Sequence, residues 1–269
     1  GIYFFFEHEE GKHTLVLADA KSSHKPISGL DSLMYLPRVV TGRSDKESIY
    51  EIVTNRSFQT GKIALNDYDY EKPTAKMETQ HSHPIGHARD QLEVYDFPGR
   101  YTETSDGDRF ARVRLEAAQA RDKRRQALGD APALFPGGLT KLKDHPQDSE
   151  NIEYLIVGCN HAFAAQDYRS AENVPGGEPY RGNYTLQPSD RPYRAPATTP
   201  KPRVHGPQTA KVVGADGEEI DVDEMGRILV QFHWDRRQDK SRRVRVAQTW
   251  SGSNWGSIMI PRIGQEVVV

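Results

Sequence analysis

Two stretches of this sequence carry side chains of the types that bind metal ions. The stretch HSHPIGH, residues 81–87, holds three histidines, and imidazole is a common zinc ligand. The stretch LNDYDYEKP places Asp67, Asp69 and Glu71 in alternation, so on a strand their carboxylates share one face and offer the oxygen ligands that calcium prefers. Neither spacing matches a zinc-finger or EF-hand pattern. We therefore expect a solvated linker in the first stretch and a structural strand end in the second, with no metal.

The first residues of the chain predict a β-hairpin. Two strand-like runs within residues 2–19 flank the sequence EEGK, and Gly11 can supply the positive φ that the turn requires. His8 and His13 then face each other across the two strands. We interpret them as a cross-strand polar pair rather than as metal ligands.

No residue pattern in the chain predicts catalysis. The single cysteine, Cys159, excludes an internal disulfide framework and a cysteine-rich zinc site. It lies in the apolar run EYLIVGCNHAF and is expected to be a small buried side chain. The motifs G-x-S-x-G and H-E-x-x-H and a P-loop are all missing from the sequence. We predict a non-enzymatic protein with no catalytic residue, cofactor or metal.

One strongly basic stretch permits two interpretations. RRQDKSRRVR, residues 236–245, has six basic residues and one acid, and Trp234 and Trp250 lie on either side. Basic and aromatic side chains together are typical of single-stranded nucleic-acid grooves. The alternative is electrostatic pairing with GEEIDVDE, residues 217–224, which has five acids and no base. The formal net charge of the chain is only -2, so no overall field attracts nucleic acid. We expect charge pairing between the two segments, either within one subunit or between subunits.

The elements that position these residues are mostly strands. Among 269 residues there are 22 glycines and 17 prolines, which favour short strands and turns. Strands are predicted in residues 47–73 and 151–163, and a long loop in residues 173–190. The best helical pattern covers residues 106–130, with Asp108 as N-cap and Gly129 at its C-terminal end. No apolar run reaches the roughly 18 residues of a membrane span.

The proline pattern divides the chain. Residues 191–203 carry four prolines and almost no large apolar side chain, which predicts an extended linker. We place one region at 1–190 and another at 204–269. The second region shows four or five short strands in about sixty residues, the size of a small Greek-key barrel such as an OB-fold. Gly226, Gly252, Gly256 and Gly264 are expected at turns with unusual φ, and Trp234, Trp250 and Trp255 in a core or an interface.

The C-terminal stretch GRILVQFHWDRRQDKSRRVRVAQTWSGSNWGSIMIPRIGQEVVV resembles VgrG, the spike protein family of type VI secretion systems. Upstream, GIYFFFEHEEGKHTLVLAD, TGKIALNDYDYEKP and KPRVHGPQTAKVVG are similar to its hub segments and hub-to-spike junction. The resemblance spans nearly the whole chain. Its landmark residues, which we interpret as structural, are Gly226, Phe232, His233, Trp234, Asp235, Trp255, Gly256, Pro261, Arg262, Gly264 and Glu266.

The resemblance implies a β-rich α+β architecture. Its parts are hub domains with barrel-like sheets in two partial subdomains, then an OB-fold that is incomplete here and stops before a β-helical needle. It also implies a homotrimer that caps a hexameric tube and is driven through target envelopes to deliver effectors. The implied partners are the tube protein, a spike-tip protein, effectors and baseplate components, with no nucleic acid and with membranes only pierced mechanically. Assembly in the cytoplasm, then secretion by the apparatus, is implied as well, and no signal peptide is recognised.

Overall fold

A computed structural model describes residues 1–38, 46–164 and 180–269. The chain separates into two compact units, Gly1–Thr198 and Thr199–Val269. No helix in the described residues is both long and apolar enough to cross a bilayer. The described elements of the first unit are β1 (Tyr3–Glu9), β2 (Lys12–Ala18), β3 (Lys25–Pro26), β4 (Ser32–Tyr35), β5 (Ser48–Asn55), β6 (Lys62–Leu65), β7 (Thr79–Ser82), β8 (Glu93–Asp96), α1 (Thr104–Gln119), β9 (Arg124–Gly129), β10 (Gly138–Lys143), β11 (Glu153–Phe163) and β12 (Tyr180–Pro188), with short 3₁₀ turns at Lys21–Ser23 and Asp148–Glu150.

A closed six-stranded barrel forms the centre of the first unit. Its strands follow one another in the order β4, β5, β9, β12, β11 and β10, and β10 pairs back to β4. The short strand β3 lies on β10 next to the stretch that pairs with β4. Buried and exposed residues alternate along β12, which places one set of side chains inside the ring. The interior is apolar and includes Ile49, Ala127, Tyr154, Ile156, Tyr184 and Leu186.

One buried ion pair joins barrel strand β9 to the 3₁₀ turn before β11. Arg125 donates from Nε and Nη2 to the two carboxylate oxygens of Glu150, both at 2.8 Å. The hydroxyl of Tyr154 donates to Glu150 Oε2 at 2.7 Å. Both charged side chains are less than a tenth exposed. The hydrogen bonds from Arg125 lower the pKa of Glu150, and burial opposes this less strongly.

The predicted N-terminal hairpin is confirmed. Strands β1 and β2 pair with His8 opposite His13, their Nδ1 atoms are 2.8 Å apart, and Gly11 has φ of +70°. The inner side chains Tyr3 and Phe5 are buried. Both rings stack on the His24 imidazole, which Tyr3 contacts at 2.7 Å through its hydroxyl.

A three-stranded sheet is inserted in the chain between the neighbouring barrel strands β5 and β9. It runs in the order β7, β6, β8 and is covered by α1. The predicted helix 106–130 is therefore wrong at both ends. It begins at Thr104 after Glu103, not at Asp108, and it ends at Gln119. The following residues form β9 because pairing with β5 and β12 outweighs their helical propensity.

Gly129 closes a strand rather than a helix. A Cβ at this position would lie 2.5 Å from the carbonyl oxygen of Ser48, so the glycine allows β9 to approach β5 closely. The predicted loop 173–190 is also wrong where the structure describes it, because Tyr180–Pro188 is a long barrel strand. Residues 173–179 lie outside the described part of the chain. The strands predicted in 47–73 and 151–163 are confirmed as β5, β6 and β11.

The two stretches with metal-binding types of side chain, residues 65–73 and 81–87, do not gather ligands. Asp67 follows β6 rather than continuing it, and its carboxylate accepts the backbone N–H of Arg100 at 2.5 Å. His81 lies in β7, whereas His87 turns away and contacts the carbonyl oxygen of Gln59 at 2.9 Å through Nε2. Across 1–38, 46–164 and 180–269, no group of three or more His, Cys, Asp or Glu side chains could hold a metal ion.

The second unit is built on an open four-stranded sheet. Its elements are β13 (Thr209–Val213), β14 (Arg227–Phe232), β15 (Val244–Arg245), β16 (Ser251–Gly252), β17 (Trp255–Gly256) and β18 (Glu266–Val268). The sheet order is β15, β14, β13, β18, and β16 and β17 pair separately. Ala210, Val212, Ile228 and Val230 form the core. The predicted pairing of RILVQFHW with RVRVAQTW is confirmed, whereas the OB topology stays a prediction.

Replacing Gly137 with alanine should detach the N-terminal hairpin from the barrel. Gly137 has φ of +100°, and a Cβ there would lie 2.3 Å from the Phe5 ring. Strain and overlap together are expected to cost about 2–4 kcal/mol of unfolding free energy. Gly29→Ala is the matched control, because Gly29 has φ of +78° and no atom within 4 Å of the added carbon. Equal losses in urea unfolding for the two variants would contradict the steric contribution.

Replacing Glu150 with glutamine should destabilise the first unit by about 3 kcal/mol, because the Arg125 charge would remain buried without its partner. Since the folded pKa of Glu150 is lowered, its contribution is complete above its unfolded pKa of about 4.3 and is lost as the pH falls below it. The difference from the unmodified chain in urea unfolding should therefore shrink under acid conditions. Glu78→Gln, at an exposed position, is the control and should change stability by less than about 0.5 kcal/mol.

Candidate functional site on the C-terminal unit

The landmark stretch begins at a tight turn before β14. Gly226 has φ of +71°, which confirms the predicted unusual backbone. Asp223 Oδ1 accepts the backbone N–H groups of Met225 at 3.0 Å and of Arg227 at 2.9 Å, and Oδ2 accepts Arg227 Nε at 2.6 Å. Desolvation raises the pKa of Asp223, but these hydrogen bonds together lower it. The turn is therefore held by a carboxylate that stays ionised.

The residues FHWD lie at the end of β14 and just beyond it. The rings of Phe232 and Trp234 stack with centroids 5.1 Å apart and an interplanar angle of 19°. Trp234 Nε1 donates to Gln208 Oε1 at 2.7 Å, and His233 Nε2 lies 3.5 Å from Glu266 Oε1. These contacts join the end of β14 to the start of β13 and to the start of β18. The role of Gln208 was not anticipated from the sequence.

The remaining tryptophans lie at the small hairpin of β16 and β17, with Trp250 just before β16 and Trp255 in β17. The rings of Trp250 and Trp255 meet edge to face at 5.9 Å. They are 69% and 57% exposed, and Trp234 is 56% exposed, so the core interpretation is wrong for all three in the described chain. Gly256 has the predicted positive φ, at +125°. Gly252 does not; its Cβ would instead meet the Trp255 indole at 2.3 Å.

Other landmark residues close turns. Asp235 accepts the backbone N–H groups of residues 237 and 239 at 3.0 and 2.9 Å. Gly264 has φ of +91° and donates its N–H to the carbonyl oxygen of Val212 at 2.9 Å. Pro261 precedes this turn in a stretch that makes no ladder hydrogen bonds, and Arg262 donates its N–H to Gln265 Oε1. The turn geometry therefore explains why an aspartate stands at position 235 and a glycine at position 264.

The basic and acidic segments meet within one chain, as predicted. Arg243 Nη2 lies 2.5 Å from Asp221 Oδ1, and its Nη1 donates to the carbonyl oxygens of Asp221 at 3.1 Å and of Arg227 at 3.3 Å. Val244 and Val246 pack on the core, whereas Arg245 is exposed. Side chains along this stretch therefore alternate between the core and the solvent.

Two further arginines complete the pairing, and sequence reasoning missed both. Arg262 lies 3.1 Å from Glu219, and Arg227 lies 2.6 Å from Asp223. Residues 219, 221 and 223 of the acidic segment therefore each face an arginine. This alternation of acids in the sequence was the signal from which the additional pairs could have been predicted. In the described structure Arg236 and Arg242 make no ion pair, so part of the basic stretch faces solvent.

The site offers recognition rather than reaction chemistry. Many of its polar groups are engaged in turns and ion pairs, and its exposed side chains include tryptophans and arginines that are unpaired in the described structure. Elsewhere, burial raises the pKa of the Cys159 thiol to about 12, so this cysteine is a thiol at neutral pH and a poor nucleophile. Such a surface is suited to contacts with macromolecules.

The family model of the phage tail baseplate hub (GPD) matches residues 1–167, the region that contains the N-terminal hairpin, most of the barrel and the inserted sheet. The chain belongs to this baseplate hub family. The match ends shortly after β11, so the tryptophans and the charged segments of the second unit lie outside it.

Named relatives align with the whole chain. The type VI secretion system spike protein VgrG1b of Pseudomonas aeruginosa is 40% identical over 273 residues, which cover 100% of this chain and 37% of that protein. The actin cross-linking toxin VgrG1 of Vibrio cholerae is 32% identical over 274 residues, covering 100% of this chain and 25% of that protein. The hub chain thus spans about a quarter to two fifths of these relatives. The resemblance to VgrG spike proteins is confirmed.

A solved structure supports the fold of the hub. The E. coli c3393 protein, described as a type VI secretion component with similarity to the T4 phage tail proteins gp27 and gp5, aligns with a TM-score of 0.55. The alignment covers 100% of this chain and 52% of the E. coli chain, at 17% sequence identity. The β-rich hub architecture expected from the sequence is confirmed by this match and by the closed barrel.

Removing the pairing between Arg243 and Asp221 should loosen the second unit only slightly. Both side chains are partly exposed, so Arg243→Gln and Asp221→Asn should each cost about 1 kcal/mol or less. The coupling in a double-mutant cycle by urea unfolding should be positive and should shrink at high salt. Arg242→Gln is the control and should change nothing measurable. A zero coupling energy at low salt would contradict the pairing.

Proposed function

We propose that this chain is the hub and spike-base part of a type VI secretion spike protein. It assembles as a homotrimer, caps a hexameric tube and is driven through target-cell envelopes to deliver effectors. The observation that carries the proposal is the 40% identity to a named spike protein along the entire chain. The folded hub is consistent with a mechanical part, because a closed barrel has no free edge and resists deformation.

The proposed trimer solves a symmetry problem. If each subunit contributes two hub bodies, three subunits present six contacts to a hexameric ring. In this chain the candidates are the six-stranded barrel and the inserted three-stranded sheet with its helix. We assign residues 1–190 to the hub, 191–203 to the linker and 204–269 to the OB-like spike base. Tip protein, effectors and baseplate components are the further partners in this proposal.

The landmark residues have structural roles in this proposal. Gly226, Gly256 and Gly264 set turns, and the exposed rings of Trp250 and Trp255 contact another subunit or a tube component. No step requires catalysis by this chain. The name of the Vibrio cholerae relative describes a toxin, but the aligned region covers only 25% of that protein. The protein assembles in the cytoplasm and then leaves the cell through the apparatus.

The proposal predicts a trimer in solution. Light scattering on the purified chain should give three times the 30.4 kDa chain mass, about 91 kDa, because a spike with threefold symmetry needs large contacts between subunits. The measurement is repeated in 0.5 M salt to separate apolar contacts from charge-driven association. A mass of one chain at every concentration tested would overturn the homotrimer for this part of the protein.

The alternative function is binding of single-stranded nucleic acid by the second unit. The specific observation in its favour is that Arg236, Arg242 and Trp234 are exposed on neighbouring parts of that unit's sequence. Micromolar binding of an oligonucleotide that weakens steeply with salt, and that Arg236→Gln and Arg242→Gln together abolish, would favour this alternative. The spike proposal expects only weak binding of this kind.

A further inference from the structure

Two neighbouring cavities in the first unit form a groove. One has a volume of about 430 Å³ and the other of about 460 Å³, and Asp190 and Arg191 line both. These two residues follow the last barrel strand, β12. The cavities therefore lie side by side on the surface of the hub, where an extended segment of a few residues would contact both.

The first cavity is suited to an apolar side chain. Leu115 and Ala120 of the α1 region are buried at its base, and Ile85 and Pro192 also line it. Of its two acids, Glu116 pairs with Arg194 at 2.6 Å, and Asp190 is shared with the second cavity. The free energy available at the apolar base of this cavity comes from covering apolar surface.

The second cavity carries an excess of positive charge. Arg56, Lys123, Arg125 and Arg191 line it against Glu150 and Asp190. Arg125 is paired with Glu150, and Arg56 with the buried Asp122 at 2.9 Å. Lys123 and Arg191 make no ion pair within the described residues. The Arg191 guanidinium lies 3.5 Å from the carbonyl oxygen of Gln119, which is a weak contact. Two cations therefore face the cavity against the single carboxylate of Asp190.

The backbone conformation of Lys123 also supports a functional site at this groove. Its φ is +58°, a left-handed conformation in which glycine or asparagine is more comfortable than lysine. Lysine at this position costs conformational energy and provides an ammonium group beside the groove. Strained non-glycine residues are concentrated at functional sites.

We propose that this groove binds an extended acidic peptide segment of a partner protein. A large apolar side chain of the peptide enters the first cavity, and a neighbouring carboxylate pairs with Lys123 and Arg191 in the second. The arginine guanidinium suits a carboxylate because it can donate two parallel hydrogen bonds. This function is additional to assembly of the hub and does not depend on the oligomeric state.

The test uses fluorescein-labelled, terminally blocked peptides of sequence DELDE, NQLNQ and DEADE, with fluorescence anisotropy on the full chain. DELDE should bind, and the Lys123→Gln, Arg191→Gln double variant should weaken it at least about tenfold. NQLNQ should bind more weakly because it lacks the carboxylates. DEADE should bind more weakly because it lacks the apolar side chain, and Ile85→Ser should weaken DELDE but not DEADE.

Arg121→Gln is the matched control, because Arg121 is an exposed cation two residues before Lys123 that lines neither cavity. It should leave DELDE binding unchanged. Lys123→Gly separates function from folding: it should raise the melting temperature by relieving the left-handed backbone, yet weaken DELDE. Gain in stability together with loss of binding is not expected of a merely structural lysine.

Three results would overturn the proposal. The first is no binding of DELDE at millimolar peptide. The second is equal binding of DELDE by the Lys123→Gln, Arg191→Gln variant and the unmodified chain. The third is competition by a short oligonucleotide as strong as that by unlabelled DELDE, which would make the groove a general polyanion surface.

Discussion

Closure of the barrel is the constraint on which the rest of the hub depends. Strand β10 pairs with β4 on one side and with β11 on the other, in the registers Leu142 to Leu33 and Leu139 to Leu155. The pairing with β4 joins segments more than a hundred residues apart, and the two pairings together leave the ring without an edge. The ring closes only if its interior is filled, which Tyr154 and Tyr184 do with wholly buried side chains. The Tyr184 hydroxyl donates to the carbonyl oxygen of Ala131 at 2.9 Å, so no polar atom of that ring is left unpaired.

The closed ring explains how the inserted sheet is attached. The chain leaves the barrel at the end of β5 and returns at the start of β9, and these two strands are paired neighbours. Arg56 lies on the outgoing segment and Asp122 on the returning one, and their 2.9 Å ion pair holds the two segments together. Asp122 also accepts the backbone N–H of Ser57, and these hydrogen bonds outweigh burial and lower its pKa. The proposed peptide groove lies at this junction, so its charges are positioned by the connections between the two bodies of the hub.

The sequence predicted local pairings well and distant pairings poorly. The hairpin around Gly11, the strand ending at Phe163 and the pairing of β14 with β15 follow from alternation and turn residues that lie close together in the chain. The helix was overextended to Gly129 because alanine, arginine and leucine favour a helix locally. Only pairing with β5 and β12, which single-sequence patterns do not reveal, makes the same residues a strand. The strand Tyr180–Pro188 was missed because the prolines and glycines around it predicted a loop. Its pairing with distant strands, like that of β9, is not visible in the local pattern.

The charged pairs of the second unit contribute to register more than to stability. Glu219, Asp221 and Asp223 alternate, and each faces an arginine from a different part of the unit: Arg262, Arg243 and Arg227. Partly exposed pairs of this kind each contribute little free energy. A one-residue shift of the acidic segment, however, would remove all three carboxylates from their partners at once and turn Ile220 and Val222 toward the arginines. Three weak interactions that are lost together therefore select one alignment of a segment that has few backbone hydrogen bonds to fix it. Burial of apolar side chains in this unit comes instead from the core of Ala210, Val212, Ile228 and Val230.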